Sequence, residues 1–582
     1  MSGANDTSDH DALAERYAAE RAKRVRPEGA AQYIHGTGAF AHYLDDPNRT
    51  ADVGRAPRTD ELDVVIIGGG MSGLLAAVAL REQGIDSFTI VESGADFGGV
   101  WYWNRYPGAA CDVESHVYMP LLEETGYIPS EKYARSSEIR QHLRRIGRHF
   151  GLYEHALFGT QATRIAWDEA IDRWTIATDR GDLIRARSVL LGSGTLNHPK
   201  LPGIPGIETF AGHAFHTSRW DYDYSGGRET GELDGLRGKR VAVIGTGSTG
   251  IQVAPEVAKW ADKLLVVQRT PSIVARRDNS PTDPAWAETL TPGWQEARIE
   301  HFEKAVSGLA PNDVIGDAWP EIWGPPGTPP PGMDPREHAL SVDFAKMEEM
   351  RVRVSSIVRD PATAEALKPY YYRFCKRPCF HDEYLQMFNQ ANVELVDTQG
   401  RGVERIEPRG IVVDGKLHEV DCIVFATGFD LEVGAFTHET RGFSLTGRGG
   451  VDIEDRWRNG YKSLHGITVA GFPNLFLVGA ARHTANTFNY PFMVREHARH
   501  AAAVVAKILA RGTAWEPSEA EEAEWARAIE EKSRFDTDYS RSCTPSYFNT
   551  KGDENGVGKV SYGGGIFDYR DRLADWRTRV FG

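Results

Sequence analysis

The chain has 582 residues, of which 41% are hydrophobic and 26% charged, and its formal net charge is −15. This length exceeds what one hydrophobic core usually serves, so we expect a globular protein of two or three domains. An acidic surface argues against binding to nucleic acid or to anionic membranes. No apolar run reaches the ~18 residues of a membrane span, and the polar N-terminus lacks an apolar signal core, which together predict a cytoplasmic protein.

Five cysteines are scattered along the chain, at positions 111, 375, 379, 422 and 543. Because they are few and odd in number, we expect no disulfide framework and a reducing compartment. Cys375 and Cys379 are close in sequence, but no second pair of ligands follows at a spacing that would hold a metal ion. We therefore expect no metal site.

Residues 1–60 form an N-terminal extension before the first recognisable folding unit. Residues 12–26 are highly charged and carry Glu20 and Arg24 at the i, i+4 spacing that supports a helix. Pro27 would end that helix. We expect it to lie on the body of the protein with one face in solvent.

A strand–turn–helix–strand unit follows the extension. The apolar pattern predicts a buried strand at 62–67, a helix at 74–83 and a second strand at 87–91 that ends at Glu92. The turn has the Gly-x-Gly-x-x-Gly fingerprint of dinucleotide sites and contains Gly68, Gly70, Met71, Ser72 and Gly73. Glu92 would accept hydrogen bonds from a ribose 2′-hydroxyl and repel a 2′-phosphate, so FAD or NAD fits this site and NADP does not.

A second unit of the same kind is predicted further along the chain. Strands at 240–244 and 263–268 flank a helix at 251–260. Its fingerprint contains Gly245, Thr246, Gly247, Ser248, Thr249 and Gly250. The second strand leads to Arg269 and Thr270 instead of an acid, and a cation with a hydroxyl suits a 2′-phosphate. The second site therefore predicts NADPH, and the two sites together predict hydride flow from NADPH to FAD.

The rest of the chain predicts a helical insertion, further strands and a tail. Strands are expected at 393–396, 411–413, 422–425 and 475–478, and a helix at 494–509. The fold class is α/β, with two Rossmann-like dinucleotide-binding domains, for FAD and for NADPH, and a helical insertion in the NADPH domain. The expected segments are the extension 1–60, the first part of the FAD-binding domain 61–195, the NADPH-binding domain 196–381 with its insertion at about 280–365, the second part of the FAD-binding domain 382–510, and a wrapping tail 511–582.

Two longer segments carry the signatures of a known family. The first lies between the two fingerprints and contains Phe210, Gly212, His216, Trp220 and Asp221, in the pattern Phe-x-Gly-x-x-x-His-x-x-x-Trp-Pro/Asp. The second runs over 98–112 and contains Gly99, Val100, Trp101, Tyr102, Trp103 and the closing Asp112. Both signatures are complete, and with the two fingerprints in the expected order the chain resembles the Baeyer–Villiger monooxygenases over about residues 62–510.

The resemblance implies a reaction and a set of site residues. NADPH reduces FAD, the reduced flavin takes up O2 to form a C4a-peroxyflavin, and its attack on a ketone gives an ester or lactone. By the same resemblance Arg377 stabilises the peroxyflavin, since arginine stays charged at working pH. Asp112 is its expected ion-pair partner. Lys376 is an expected ligand of the 2′-phosphate, and Arg377 also adjoins NADP. Trp101 and Tyr118 match positions that contact FAD, and Ala110, Cys111 and Asp112 match a stretch between flavin and nicotinamide.

The linker signature has a structural interpretation that we favour over a catalytic one. A histidine in such a segment is more often a hydrogen-bonded structural residue than a catalyst. We expect His216 and Trp220 to tie the interdomain linker and to govern domain rotation between reduction and oxygenation, a step that controls rate without touching substrate.

Three other functions share parts of this pattern, although Arg377 and the two complete signatures count against the first of them. An N- or S-oxygenating flavin monooxygenase would share both fingerprints, and a redox sensor would bind both nucleotides without catalysis. A pyridine nucleotide–disulfide reductase would need two cysteines near the first fingerprint, where only Cys111 is found. The extension and tail resemble members that act on macrocyclic, polycyclic or terpenoid ketones. We therefore expect a bulky cyclic ketone and O2 as substrates, sulfoxidation as a side activity, and pocket walls from the insertion, the loop near 486–491 and the tail.

Overall fold

A computed structural model describes residues 3–34, 36, 38–49, 54–196, 198–430, 441–480, 482–485, 487–532, 537–552 and 561–582. Asn486, in the loop expected to line the substrate pocket, lies outside these residues. Among the helices of these ranges, none combines the length and the apolar character needed to cross a membrane.

The first dinucleotide unit is built on an eight-stranded sheet. Glu61–Ile67 lies between Leu183–Leu191 and Phe88–Val91 and runs parallel to both. The other strands are Ala156–Leu157 at one edge, Arg173–Thr178 and Ala162–Asp168 in an antiparallel meander, Ser444–Thr446 at the other edge, and Leu475–Leu477 beside Leu183–Leu191. The apolar side chains of Glu61–Ile67 from Val64 onward are buried, as expected for a parallel strand covered on both faces.

The second dinucleotide unit is a separate sheet of five parallel strands. Its order is Val393–Asp397, Lys263–Gln268, Arg240–Ile244, Cys422–Phe425 and His213–His216. Two strands that we expected in the second part of the FAD-binding domain (382–510) therefore pair in the NADPH sheet, and the boundary expected between 381 and 382 is wrong. A strand buried on both faces has no residue pattern that reveals which sheet it joins, because hydrogen-bond partners far away in sequence decide this.

Helices cover both sheets. The helices Met71–Glu82 and Tyr490–Arg511 pack against each other, and both contain fully buried alanines, among them Ala76 and Ala501. The insertion contains the helices Pro284–Ala287, Trp294–Val306, Ala318–Trp323, Pro335–Ile357 and Pro361–Leu367. The other helices are Gly3–Ala22, Val100–Trp103, Ser115–Tyr118, Leu122–Thr125, Ser136–His149, Tyr222–Ser225, Ser248–Ala258, Tyr384–Met387, Ile453–Trp457, Glu519–Lys532, Thr537–Ser542 and Ile566–Phe581. Small additional sheets join Arg405–Glu407, Gly410–Val413 and Lys416–Glu419, join Tyr33–Ile34 to Leu201–Pro202, and join Val274–Ala275 to Cys379–Phe380.

The N-terminal helix, Gly3–Ala22, ends four residues before the predicted end at 26. The expected i, i+4 pair forms, with Arg24 Nη1 2.6 Å from Glu20 Oε2. However, Arg24 lies in the turn after the helix, where its Nε donates a hydrogen bond to Thr270 Oγ1 at 3.2 Å. This contact with the second dinucleotide unit is not encoded locally, and it fixes the extension to the body.

The cysteines depart from expectation, because Cys375 forms a disulfide with Cys543, 168 residues further on. The expectation of no disulfide is therefore wrong. The tail folds back onto the segment before Lys376 and brings the two Cα atoms to 5.0 Å, within the range that a disulfide spans. Sequence spacing could not reveal this approach. Cys111, Cys379 and Cys422 are buried thiols.

Candidate active site

The first fingerprint forms a tight loop between a strand and the helix that follows it. A side chain at Gly73 would come within 1.8 Å of the carbonyl oxygen of Gly68, and one at Gly70 within 3.1 Å of the Cα atom of Gly99. Glycine is therefore needed for the close packing of this loop. The helix starts after Gly70 with no side-chain cap from the described residues, which leaves the N–H groups at its positive end for a pyrophosphate. Met71 and Ser72 form the first turn of that helix.

Two buried polar side chains near this loop fit a flavin nucleotide. The carboxylate of Glu92 accepts hydrogen bonds from the backbone N–H groups of Gly69 and Gly94, each at 2.5 Å. Desolvation raises its pKa, and its remaining lone pairs suit ribose hydroxyls. Asn489 is fully buried at the start of the helix that packs on the fingerprint helix. Its amide oxygen and nitrogen have no hydrogen-bond partner in the described chain, which points to the polar atoms of a ligand.

The second fingerprint repeats this geometry beside Arg269. A side chain at Gly250 would lie 2.0 Å from the carbonyl oxygen of Gly245, whereas the space next to Gly247 is open to 4 Å in the described chain. The open space lies at the N-terminus of the helix Ser248–Ala258, where a pyrophosphate would bind. Thr246 Oγ1 donates a hydrogen bond to the carbonyl of Thr270 at 2.9 Å, which ties the strand end to the loop.

Asp112 and Arg377 form the expected ion pair, although they are far apart in sequence. Arg377 Nη1 lies 2.6 Å from Asp112 Oδ2, and Nη2 lies 2.8 Å from Oδ1, so the pair is bidentate. Burial lowers the pKa of Arg377, but the charge and hydrogen bonds of Asp112 outweigh burial and raise the pKa above its usual value. Arg377 Nη1 also donates to Ser248 Oγ at 3.2 Å. The pair therefore lies at the junction of the two dinucleotide units.

The residues around Asp112 are packed by contacts within the first unit. Trp101 Nε1 donates to the hydroxyl of Tyr118 at 3.1 Å. Cys111 is buried with its Sγ 3.5 Å from Ser115 Oγ, and desolvation raises the pKa of its thiol to about 12. A thiol in this state is not a nucleophile at neutral pH. Cys111 is one of the buried free thiols of the described chain and is not bonded to another cysteine.

Tyr102 and Trp103, expected to contact FAD, are held by the N-terminal extension and the linker. The hydroxyl of Tyr102 donates to Asp46 Oδ2 at 2.6 Å. The guanidinium of Arg219 lies 4.0 Å from the centre of the Trp103 ring, and its Nε donates to the carbonyl of Asp45. Val100 begins this short helix after Gly99. The structure thus links the second signature to the extension.

The linker signature has the contacts of a structural segment. His216 is fully buried, with Nδ1 2.8 Å from Ser218 Oγ and Nε2 3.0 Å from the carbonyl of Gly428. Desolvation, with the nearby charge of Arg219, lowers the pKa of His216 to about 3, so the ring is neutral. Trp220 Nε1 donates to Ser225 Oγ at 2.9 Å. Asp221 caps the helix Tyr222–Ser225, and Phe210 and Gly212 pack at the start of the segment.

An aromatic wall borders the Asp112–Arg377 pair. It consists of Trp319 and Trp323 from the insertion, Phe374, Phe488, and Phe548 from the tail. The Trp319 ring stacks on Phe488 at 4.4 Å, and its Nε1 donates to the carbonyl of Asp112. The guanidinium of Arg377 lies 5.1 Å from the centre of the Trp319 ring. The sequence indicated the insertion, the loop near 486–491 and the tail as pocket walls, but it did not indicate which aromatic residues form the wall or that Phe374 belongs to it.

The comparisons with known proteins agree with this geometry. A family model described as flavin-binding monooxygenase-like matches residues 61–287. Pentalenolactone D synthase from Streptomyces arenae is 48% identical, over 98% of this chain and 98% of its own. A Baeyer–Villiger monooxygenase from Streptomyces coelicolor is 44% identical, over 97% of this chain and 95% of its own. The structure of the polycyclic ketone monooxygenase from the fungus Thermothelomyces thermophila superposes with a TM-score of 0.90 at 36% identity, over 99% of this chain and 98% of that one.

Two dinucleotide sites that meet at a fixed arginine define a flavin-dependent monooxygenase, with FAD and NADPH as cofactors. Within that class, the identity over nearly the whole chain is decisive: the chain belongs to the Baeyer–Villiger monooxygenase family. It inserts one oxygen atom from O2 beside a ketone carbonyl. The predicted fold class, family, activity and cofactors are confirmed.

Proposed function

We propose that the substrate is a bulky, largely apolar cyclic ketone, that its product is a lactone, and that Arg377 and Asp112 carry the oxygen-transfer step. The bidentate Asp112–Arg377 pair at the foot of the aromatic wall is the observation that carries this proposal. When bound, the flavin supplies activated oxygen and NADPH supplies the hydride that reduces it.

Arg377 provides a permanent positive charge where negative charge develops on oxygen. Asp112 occupies one edge of the guanidinium and fixes its orientation. Nε–H and the second Nη2–H of Arg377 have no hydrogen-bond partner in the described chain, and one third of the side chain is exposed. These donors are therefore available to a developing oxyanion, and the surrounding aromatic side chains exclude water and strengthen that interaction.

The aromatic wall supports the proposal of a bulky substrate. Trp319 and Trp323 come from the insertion, Phe488 from the loop near 486–491 and Phe548 from the tail, which are the three segments expected to shape the pocket. Phe374, close to Arg377 in sequence, completes the wall. Flat aromatic faces bury large apolar ring systems and offer few polar partners. The relatives named for pentalenolactone D and for polycyclic ketones support the same substrate class. Sulfoxidation is proposed as a side activity of the same oxygen transfer.

We also propose a cytoplasmic location, because the enzyme consumes NADPH, which cells hold in that compartment. The Cys375–Cys543 disulfide is the feature of the described chain that opposes this location. Fractionation of producing cells would test it: ketone-dependent activity confined to the membrane or extracellular fraction would contradict a cytoplasmic enzyme.

The roles at the ion pair are tested by replacing Arg377 with Ala and with Lys. We expect both variants to bind FAD and to be reduced by NADPH, while the rate of lactone formation falls by roughly 100-fold or more, by analogy with the loss of an oxyanion donor. NADPH oxidation should then release hydrogen peroxide instead of product. Stopped-flow absorbance gives the reduction rate, and gas chromatography with a panel of polycyclic, terpenoid and small cyclic ketones gives the product.

Arg276 offers a matched control, since it is an exposed arginine paired with Asp278. Arg276→Ala should leave reduction and lactone formation unchanged. Lactone formation at the wild-type rate in Arg377→Ala would remove Arg377 from its role. Faster turnover of small ketones than of every polycyclic ketone in the panel would contradict the proposed substrate class.

A further inference from the structure

Cations from two distant parts of the chain meet at the end of the strand Lys263–Gln268. Arg24, from the extension, is 9% exposed, and its Nε donates to Thr270 Oγ1 at 3.2 Å. Arg26 and Arg269 flank Gly402, since a Cβ atom there would lie 3.1 Å from Arg26 Nη2 and 4.0 Å from Arg269 Cδ. The extension therefore reaches the position where the second dinucleotide site reads the 2′ substituent.

The positive charge of the cluster formed by Arg24, Arg26 and Arg269 is only partly balanced by carboxylates of the protein. Arg24 pairs with Glu20, which also holds Lys23. No carboxylate lies within 4.0 Å of the guanidinium of Arg26 or Arg269 in the part of the chain that the structure describes. Desolvation lowers the pKa of Arg26 and the charge of Arg269 lowers it further, so the two cations repel each other; the opposing charge of Glu28 does not cancel this effect. In a chain with a net charge of −15, such a cluster is built for an anion.

The partners of Arg269 within the protein are neutral. Its Nη1 donates to Gln32 Oε1 at 2.6 Å and its Nη2 to the hydroxyl of Tyr33 at 3.1 Å. Both partners belong to the extension, so the extension orients this guanidinium without neutralising it. A 2′-phosphate carries close to two negative charges and three acceptor oxygens, and guanidinium groups match it with paired, charge-assisted hydrogen bonds.

We propose that the N-terminal extension forms part of the coenzyme site, with Arg24 and Arg26 binding the 2′-phosphate of NADPH together with Arg269. The proposal rests on the assignment of NADPH to the second site. It makes coenzyme selectivity depend on an element outside the strand–turn–helix–strand unit. In this arrangement the extension would hold the adenosine end of the coenzyme, and the nicotinamide end would extend toward Arg377.

The test measures binding to the FAD-loaded, full-length protein by isothermal titration calorimetry. The probes are NADP+, NAD+ and adenosine 2′,5′-bisphosphate, which carries the 2′-phosphate without nicotinamide. We expect Arg26→Gln and Arg24→Gln each to lower the affinity for NADP+ and for the bisphosphate by roughly tenfold or more, as for a lost charge-assisted hydrogen bond. NAD+ affinity should change less than twofold. Arg24→Lys should retain much of the affinity.

Arg16 is the matched control, because it lies in the same extension and pairs with Glu365 on the surface. Arg16→Gln should change none of the three affinities. Flavin content and the unfolding temperature show which variants fold. If Arg24→Gln does not fold, Arg26→Gln still tests the proposal, because Arg26 is only half-buried and its replacement disturbs the packing less. The proposal would be overturned if the Arg24 and Arg26 variants lost affinity for NADP+ and NAD+ equally, or if neither affinity changed. A wild-type protein that binds NAD+ as tightly as NADP+ would instead overturn the NADPH assignment.

Discussion

At the scale of single residues, the site combines a fixed charge with a carboxyl group kept neutral. Asp112 holds Arg377 charged through two hydrogen bonds. Next to Phe488 of the aromatic wall, Glu303 is buried and accepts a hydrogen bond from the hydroxyl of Thr487, whose Oγ1 lies 2.7 and 2.8 Å from the two carboxyl oxygens. Desolvation raises the pKa of Glu303 to about 8. Its protonated form therefore supports the loop that carries Phe488.

This raised pKa predicts how stability depends on pH. Between the unfolded pKa of about 4.5 and the folded pKa of about 8, the folded protein keeps a proton that the unfolded chain releases, so stability falls as pH rises through this window. Over this window the free energy of unfolding would fall by at most about 5 kcal/mol. Glu303→Gln keeps an acceptor for Thr487 and removes the titration. The unfolding temperature of the variant relative to wild type should therefore rise between pH 5 and pH 8.5, as measured by the release of flavin fluorescence.

Glu300 is a suitable control for this pH profile. It lies in the same helix but is exposed and pairs with Lys304, which lowers its pKa. Glu300→Gln should lose at most a small amount of stability, and it should not gain stability toward pH 8.5. A difference between Glu303→Gln and wild type that is constant from pH 5 to pH 8.5 would show that Glu303 does not titrate in this window.

At the scale of elements, the tail acts on the site through one covalent bond. The Cys375–Cys543 disulfide joins the tail to the residue that precedes Lys376. Phe548, a few residues after Cys543, belongs to the aromatic wall. A bond that closes so long a loop restricts the unfolded chain and typically contributes about 2–4 kcal/mol. The tail position, and with it one side of the pocket, thus depends on a pairing that the spacing of the cysteines did not predict.

The disulfide predicts a thiol count. The chain has five cysteines, and three are free, so protein purified without reductant and then denatured should react with three equivalents of Ellman's reagent. Cys543→Ser should show four, because Cys375 is released, and its unfolding temperature should fall. Cys422→Ser should show two, since it removes a thiol and leaves the disulfide intact. Five reactive thiols in the wild-type protein would rule out the disulfide.

Strands and helices were predictable from the sequence where a local hydrophobic pattern marks them. Site residues were predictable where a known signature contains them. The strands Arg240–Ile244, Lys263–Gln268 and Cys422–Phe425 have the predicted bounds, because buried parallel strands are unbroken apolar runs. The sheet that Cys422–Phe425 joins was not predictable, since pairing is a long-range property. Similarly, the family signature indicated Asp112, but no local pattern indicated that Arg24 reaches Thr270 or that Phe548 reaches Trp323.

At the scale of the whole molecule, hydride transfer requires the two dinucleotide units to keep a set distance. Gln252 in the helix Ser248–Ala258 joins them: its Oε1 accepts from the hydroxyl of Tyr106 at 2.8 Å, and its Nε2 donates to the carbonyl of Ala110 at 2.9 Å. Between these contacts lies Gly108, whose φ is +84° and whose missing side chain would come within 2.5 Å of the backbone oxygen of Gln252. The second signature thus sets how closely the units approach.

Gly108→Ala should therefore separate the two units. A methyl group 2.5 Å from a backbone oxygen cannot be accommodated by a side-chain movement, so the helix must move away from the first unit. We expect the rate of flavin reduction by NADPH, measured by stopped-flow absorbance, to fall by roughly 100-fold, because small displacements of positioned reactants have effects of this size. FAD content should be unchanged.

Gly126→Ala is the matched control. Its φ of +63° imposes similar backbone strain, but the described chain has no atom within 4 Å of the added carbon. Flavin reduction in this variant should therefore stay near the wild-type rate. An equal loss of rate in both variants would mean that backbone strain, and not the distance between the units, governs hydride transfer, and a wild-type rate in Gly108→Ala would contradict the predicted separation of the units.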